Sequence, residues 1–152
     1  MAVYYWRTRA ELSPARWTLD FTVRWRGEIV GVQGFSTENY LVTRTGETGS
    51  WLGLRHQGQG IGTVMRQTLC AFVFDHLDAE EVTSAAYVDN PASMAVSRKV
   101  GYSTNGQFRE ERRPGELAIS EKLTLNIRDL IRHEFDLEVE GVPSVRRFLG
   151  LD

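Results

Sequence analysis

The sequence predicts an α+β fold: a mostly antiparallel sheet with one parallel β-loop-α-β crossover, flanked by helices. Alternating apolar and polar residues in "WTLDFTVRW" and "EIVGVQGFS" indicate an antiparallel hairpin that turns at Arg26-Gly27. The stretch "WLGLRHQGQGIGTVMRQTLCAFVFDHL", residues 51–77, passes from a strand through a glycine loop into a long helix. The strand "EEVTSAAYV" follows that helix directly, and such crossovers are normally right-handed and parallel.

Size and composition favour one domain spanning residues 1–152, because a chain of this length can bury roughly 68–70 % of its unfolded surface. The 18 basic and 20 acidic residues give a net charge of -2 and are dispersed, which argues against nucleic acid as the main partner. No apolar run approaches the ~20 residues that span a bilayer, so we expect a soluble, cytoplasmic protein without a membrane partner. The lone Cys70 excludes an internal disulfide, and the three histidines are too scattered for a zinc motif, so no metal is expected.

The opening segment "YYWRTRAELSPARW" is expected to form a short helix to about Leu12, with its aromatic residues packed inward. Ser13 and Pro14 end it, because the residue before a proline disfavours the α conformation. The hairpin described above follows. Residues 40–54 are then expected to supply a third strand.

The central helix is predicted over residues 60–77, where apolar residues recur every three or four positions. A second helix is predicted in "DNPASMAVSRKVG", which carries start and stop signals at both ends. Asn90 is the expected N-cap, Pro91 occupies the first helical position and Gly101 terminates the helix.

The last third of the chain is predicted to contain a further hairpin from Tyr102 to about Leu125. Its turn falls on residues 113–116, where proline and glycine stand side by side. The tail from Asn126 to Asp152 is expected to begin as a polar helix and to continue without regular structure.

The central helix is preceded by three glycines at alternate positions, Gly58, Gly60 and Gly62. Such a start binds anions, phosphate above all, because the first N–H groups lack partners and the helix dipole favours negative charge. A dinucleotide-binding fingerprint would need glycine where Thr63 or Met65 stands, and no Walker G-K-[ST] occurs. What remains is Q-x-x-G-x-G beginning at Gln57, whose amides could wrap a pyrophosphate. Alternatively, the glycines only form a tight turn and pack the helix on the sheet.

Two segments together resemble a known family. "ETGSWLGLRHQGQGIGTVM" resembles the strand, pyrophosphate loop and helix of the GNAT superfamily of acyl-CoA-dependent N-acetyltransferases. "VDNPASMAVSRKVGY" resembles the next strand end and helix of that family, in the order N-x-x-S-x-x-x-x-x-K-x-G-Y. The likeness covers about Arg24 to Leu125 and is closest to the branch with ribosomal-protein and small-molecule acetyltransferases. It implies a GNAT-like fold and direct transfer of an acetyl group from acetyl-CoA to a primary amine of a small molecule or protein N-terminus.

The resemblance also implies the residues that bind acetyl-CoA. It places the pyrophosphate on the loop and helix start, formed by Gln57, Gly58, Gln59, Gly60, Ile61, Gly62 and Thr63. The pantetheine arm is expected to pair, like an added strand, with the backbone of Leu52, Gly53 and Leu54. Asn90 and Ser93 are expected to contact the cofactor, although helix capping alone also explains Asn90.

For catalysis, the resemblance points to Glu47, which matches a family position where a glutamate faces the cleft. A lysine amine is only ~0.04 % neutral at pH 7 and an α-amine roughly 14 %, so a base matters more for lysine-like acceptors. We expect Glu47 to be that general base, directly or through water; the alternative is a solvated glutamate on an edge strand.

The leaving thiolate needs a proton or a hydrogen bond. Ser97 stands where many family members have a tyrosine, and Ser93 is the alternative donor. Serine is a poor acid, so either hydroxyl is expected to orient a water or bond the thiolate. The alternative for both is ordinary helix surface.

The opening segment resembles the second helix of the family, and the family's first strand and helix are missing from the sequence, so we expect either that the true start lies upstream or that the fold is trimmed. An exposed sheet edge and apolar surface near Tyr4, Tyr5 and Trp6 would favour self-association, most simply as a homodimer. Ser97 and this short front leave open a second class of function, a non-catalytic acyl-CoA-binding or interaction module with the same fold. The acceptor stays open among antibiotics, amino acids, polyamines and protein N-termini.

Overall fold

A mixed sheet dominates the computed structural model, which describes residues 2–152 apart from the side chains of Ala2, Tyr4 and Tyr5. In this part of the chain the strands are β1 (Arg16–Trp25), β2 (Glu28–Glu38), β3 (Thr45–Leu52), β4 (Glu81–Tyr87), β5 (Ser103–Arg113) and β6 (Glu116–Asn126). They lie in the order β1-β2-β3-β4-β6-β5. Every neighbouring pair is antiparallel except β3 and β4, which are parallel. The predicted fold class is confirmed.

The helices are α1 (Ala2–Ala10), α2 (Tyr40–Thr43), α3 (Ile61–Leu77), α4 (Pro91–Val100) and α5 (Val142–Leu149). The two helices with the strongest sequence signals lie where they were predicted. Helix α3 follows Gly60 and ends at Leu77. Helix α4 is capped by Asn90, whose side chain accepts a hydrogen bond from the Ser93 amide at 3.1 Å, and it ends at Gly101.

The core lies between the sheet and α3, with an aromatic group at the α2 end of the sheet. Trp17, Phe35 and Tyr40 contact one another at ring-centroid distances of 5.1–5.9 Å. The Phe35 ring covers Gly46, where an added Cβ would lie only 2.3 Å from the ring, so only glycine fits there. The Tyr40 hydroxyl donates to the Leu77 carbonyl at 3.0 Å and thereby ties α2 to the end of α3.

The prediction of a strand over residues 40–54 is wrong at both ends. Residues 40–43 form α2, β3 occupies 45–52, and Leu54–His56 form a 3₁₀ turn. Asn39 and Arg44 flank α2 with φ of 52° and 47°, in the left-handed region that breaks an extended chain. The connection from β2 to β3 therefore turns through a helical segment before the strand begins.

The order predicted for the tail is reversed. After a 3₁₀ turn at Ile127–Asp129 the chain is irregular, and the helix, α5, comes near the end. Ile131 explains this, because its amide donates to the Val100 carbonyl at 2.9 Å and its carbonyl accepts from Gln67 Nε2 at 2.8 Å. These tertiary hydrogen bonds take the backbone groups that a helix would need.

The opening helix α1 ends two residues before the predicted Leu12. Inward packing is wrong for Trp6, whose side chain is 71 % exposed. The same expectation for Tyr4 and Tyr5 lies outside the described residues. The homodimer stays a prediction.

Gly101 gives a direct test of how the tail is held. Its φ is +109°, and an added Cβ would lie 2.0 Å from the Asp129 carbonyl oxygen. We expect Gly101→Ala to lower the free energy of unfolding by about 3 kcal/mol, because both backbone strain and a clash must be relieved. Gly106→Ala is the control, since Gly106 has φ +89° with open space around it, and strain alone should cost about 1–2 kcal/mol. Equal urea-unfolding results for the two variants would show that the Asp129 contact is unimportant.

Candidate functional site

The centre of the sheet is split between β3 and β4. Their parallel pairing covers three positions and ends at Glu47 and Thr83. One residue further on, the Ser84 hydroxyl donates to the Thr48 carbonyl at 3.0 Å, in place of a backbone partner. Each strand continues along its other neighbour, so an opening, here called the wedge, forms between β3 and β4 beyond Glu47.

Beyond Thr48, whose carbonyl already accepts from Ser84, two backbone positions of β3 face the wedge. The Gly53 amide donates to the Val30 carbonyl at 2.9 Å, on the β2 side. Since alternate residues of an antiparallel strand bond to the same neighbour, the N–H and C=O groups of Ser50 and Leu52 point to the wedge. Gln57 Nε2 donates to the Leu52 carbonyl at 2.9 Å.

The expected pairing of pantetheine with Leu52, Gly53 and Leu54 therefore needs correction. Gly53 turns its amide to β2, and Leu54 lies in the 3₁₀ turn after the strand has ended. Of the three residues, only Leu52 faces the wedge. Ser50, which the sequence reasoning missed, presents its backbone in the same way.

The glycine loop forms an open cradle at the start of α3. Gly58 and Gly60 have φ of +72° and +83°, and a Cβ added at either meets no atom within 4 Å. The described residues provide no hydrogen-bond acceptor for the N–H groups of residues 58 to 62. Gly62 differs, because a Cβ there would contact Val96 of α4 at 3.6 Å. The cradle thus supports anion binding at Gly58 and Gly60, whereas the packing interpretation fits Gly62.

A cleft of ≈ 380 Å³ connects the wedge, the loop and α4. Eight predicted cofactor residues line it: Leu52, Gln57, Gly58, Gly60, Gly62, Thr63, Asn90 and Ser93. The four that do not are Gly53, Leu54, Gln59 and Ile61. Lys99 also lines this cleft and adds a positive charge to it.

Glu47 lies in a second cleft, of ≈ 460 Å³, formed by α1 and the first three strands. Glu11 and Glu38 also line it, but both pair with arginines: Glu11 with Arg7 at 2.8 Å and Glu38 with Arg16 at 3.1 Å. Glu47 is exposed and makes no ion pair within the described part of the chain. It precedes Ser50 by three residues, so about 10 Å of β3 separates it from the first cleft.

The two serine candidates differ in access. Ser97 is 1 % exposed, and its hydroxyl donates to the Ser93 carbonyl at 3.0 Å within α4. Its hydrogen is therefore used inside the helix, and the structure disfavours Ser97 as a partner of the leaving group. Ser93 is half-buried and lines the first cleft.

A model of the acetyltransferase (GNAT) domain matches residues 2–103, about two thirds of the chain. The chain belongs to the GNAT acetyltransferase family. The family resemblance inferred from the two motifs is thereby confirmed, and the wedge and the loop lie within the matched GNAT segment.

Individual relatives agree with this assignment. The chain is 32 % identical over 69 residues to YdaF of Bacillus subtilis (strain 168), a candidate ribosomal N-acetyltransferase. That match covers 45 % of this GNAT chain but only 38 % of the relative.

Solved structures share the fold. Mycobacterium smegmatis RimJ, in complex with CoA-disulfide, has a TM-score of 0.75 at 20 % identity, over 86 % of this chain and 63 % of its own. Spermidine N-acetyltransferase from Vibrio cholerae, in complex with CoA and spermine, has a TM-score of 0.69 at 17 % identity, over 84 % of this chain and 73 % of its own.

Arg66 is the most prominent residue of this GNAT site that the sequence reasoning missed. It lies on α3, is 5 % exposed and lines the first cleft. Nη2 donates to Ser50 Oγ at 2.7 Å and Nη1 to Ser84 Oγ at 3.2 Å, so the guanidinium bridges both strands across the wedge. The available signal was a charged residue one turn before Leu69 and Cys70 on the apolar face of α3.

Behind Arg66 lies a buried polar group. The Tyr102 hydroxyl is 2.8 Å from Thr48 Oγ1 and 3.4 Å from Cys70 Sγ. Burial raises the pKa of the Cys70 thiol to about 11, so the thiol stays protonated at neutral pH. This agrees with Cys70 as an unreactive packing residue.

Two further findings apply to residues 2–152. Their His, Cys, Asp and Glu side chains form no group of three or more that could hold a metal ion. None of their helices combines the length and apolar character needed to cross a membrane.

Proposed function

We propose that this chain is an N-acetyltransferase that transfers the acetyl group of acetyl-CoA directly to a primary amine of a small molecule or a protein N-terminus. One observation carries the proposal. The wedge opens into a cleft that ends at the glycine cradle, so one surface of the described residues offers a strand edge without a backbone partner and unpaired amides in succession. A pantetheine arm that continues into a pyrophosphate needs both.

The residues present fit CoA along this cleft. The N–H groups of residues 58 to 62 suit a pyrophosphate, because they lie at the positive end of a 17-residue helix. Pantetheine amides could pair with the backbone of Ser50 and Leu52 as an added strand does. The related structures of RimJ with CoA-disulfide and of spermidine N-acetyltransferase with CoA and spermine support the same ligand class here.

The reaction requires a base on the acceptor side. The amine nitrogen attacks the thioester carbonyl, the C–N bond forms, the C–S bond breaks and its electron pair goes to sulfur. Glu47 takes the proton that nitrogen loses, directly or through one water. Its carboxylate suits this role because the other two carboxylates of the second cleft are already paired with arginines.

The second candidate function is an acyl-CoA-binding module without catalysis. The burial of Ser97 favours it, since the position that carries a tyrosine in many family members offers no donor here. Such a module would bind CoA as tightly as the enzyme does but release no thiol.

An acetyl-CoA consumption assay distinguishes the two functions. We expect thiol release with at least one amine from a panel of N-terminal peptides, lysine peptides, polyamines and amino acids. Calorimetry with CoA runs in parallel. Binding without turnover for the whole panel would favour the module, and absence of both would reject the CoA assignment.

A further inference from the structure

The wedge contains a buried positive charge with no negative partner. Arg66 is 5 % exposed and, within residues 2–152, no carboxylate forms an ion pair with it. Its Nε is fully buried without a hydrogen-bond partner from those residues. Burying an unpaired charge is unfavourable, so the site favours an anion that arrives from outside.

The hydrogen-bond inventory of the guanidinium leaves room for such an anion. Arginine has five N–H donors, and the described residues accept two of them, at the hydroxyls of Ser50 and Ser84. Both hydroxyls are neutral, so they orient the guanidinium without neutralising it. The two hydroxyls also hold the guanidinium between β3 and β4, beyond Glu47 and Thr83, where the pairing of these strands ends.

We infer that Arg66 stabilises the thiolate of CoA as it leaves, the role for which Ser97 is not available. This inference rests on the proposed function, in which the thioester lies in the wedge. When the C–S bond breaks, the electron pair stays on sulfur as a thiolate, and the proton lost by the amine goes to Glu47. Arg66 offsets the charge on sulfur without giving up a proton, since a guanidinium is not deprotonated in proteins.

The groups around Arg66 do not titrate near neutral pH. The titratable side chains that face it are Cys70, on the same helix, and Tyr102, after α4. Burial raises the pKa of both above the ordinary values. Lys99 also lines the cleft. A pH-dependent difference in affinity between CoA and an analogue without the thiol, measured between pH 6.5 and 9, would therefore report on the CoA thiol.

The test compares CoA with desulfo-CoA, which lacks the thiol, by calorimetry between pH 6.5 and 9. An unperturbed thiol titrates near 8.5, and a neighbouring cation lowers its pKa. We expect CoA affinity to rise relative to desulfo-CoA with pH, about tenfold for each unit by which Arg66 lowers the pKa of the bound thiol. CoA and desulfo-CoA carry the same phosphates, so titration of the phosphates cancels in the ratio of the two affinities.

Substitutions of Arg66 test whether this residue causes the rise in relative CoA affinity with pH. In Arg66→Met, the ratio of CoA to desulfo-CoA affinity should no longer rise with pH, and kcat should fall about tenfold. Arg66→Lys should keep part of the rise with pH and part of the wild-type kcat. Arg98→Met, an exposed site on α4 that does not line the cleft, is the matched control and should behave as wild type.

The outcomes separate this inference from the proposed function. If CoA and desulfo-CoA each bind the wild-type chain but the ratio of their affinities does not change with pH, the role of Arg66 is overturned and CoA binding stands. Tighter binding of succinyl-CoA than acetyl-CoA, with a flat ratio, would overturn it in favour of a carboxylate on the acyl chain. Failure of both CoA and desulfo-CoA to bind would reject the CoA site and the inference together.

Discussion

Gly60→Glu should lower CoA affinity at least about 100-fold, which corresponds to about 2.7 kcal/mol. Gly60 has φ +83°, and a side chain there would project into the open space of the cradle. A carboxylate at that point would repel the pyrophosphate, and one pair of like charges at 4 Å costs about 4 kcal/mol at an effective dielectric constant of 20. Calorimetry with CoA measures the loss.

Gly27→Glu is the matched control. Gly27 has φ +85° with open space around it, in the hairpin between β1 and β2 and away from the cleft. Both variants therefore carry the same strain and the same added charge. Wild-type CoA affinity in a folded Gly60→Glu chain, or an equal loss in the two variants, would remove the cradle from the site.

Glu47→Gln should lower kcat by ~10² to 10⁴-fold while leaving CoA affinity unchanged. The amide keeps the size of the side chain and removes its ability to accept a proton. The loss should be larger for a lysine-like acceptor than for an α-amine, since a smaller fraction of the former is neutral at pH 7. Steady-state kinetics with one acceptor of each kind gives the comparison.

Glu134→Gln is the control for Glu47→Gln, because Glu134 is an exposed glutamate of the tail that lines neither cleft. Its kcat should equal that of the wild type. If Glu47→Gln kept the wild-type pH-rate profile with both acceptors, Glu47 would be a solvated surface residue.

Local signals account for what the sequence predicted well. The cap at Asn90 and the stop at Gly101 are properties of a few neighbouring residues, and α4 has those ends. By contrast, Asn39 and Arg44 adopt left-handed conformations without a glycine, so the pattern gave no sign of α2. The tail was mispredicted because Ile131 pairs with residues more than 30 positions away.

The candidate site divides in the same way. The cradle follows from glycines next to a helix start, a local pattern that is visible in the sequence. Ser50 and Arg66 belong to the cleft because of how β3 pairs with β2 and which face α3 presents to the wedge. Both depend on tertiary structure, although a charge within the apolar face of α3 could have drawn attention to Arg66.

We propose that CoA lies along the wedge and the glycine cradle. Titrating the ¹⁵N-labelled chain with CoA and following its backbone amides by NMR tests this most directly. We expect the largest chemical-shift changes at Ser50, Leu52 and residues 58–63, with smaller changes in α4. Changes confined to the cleft around Glu47, or no changes in residues 58–63 at saturating CoA, would contradict it.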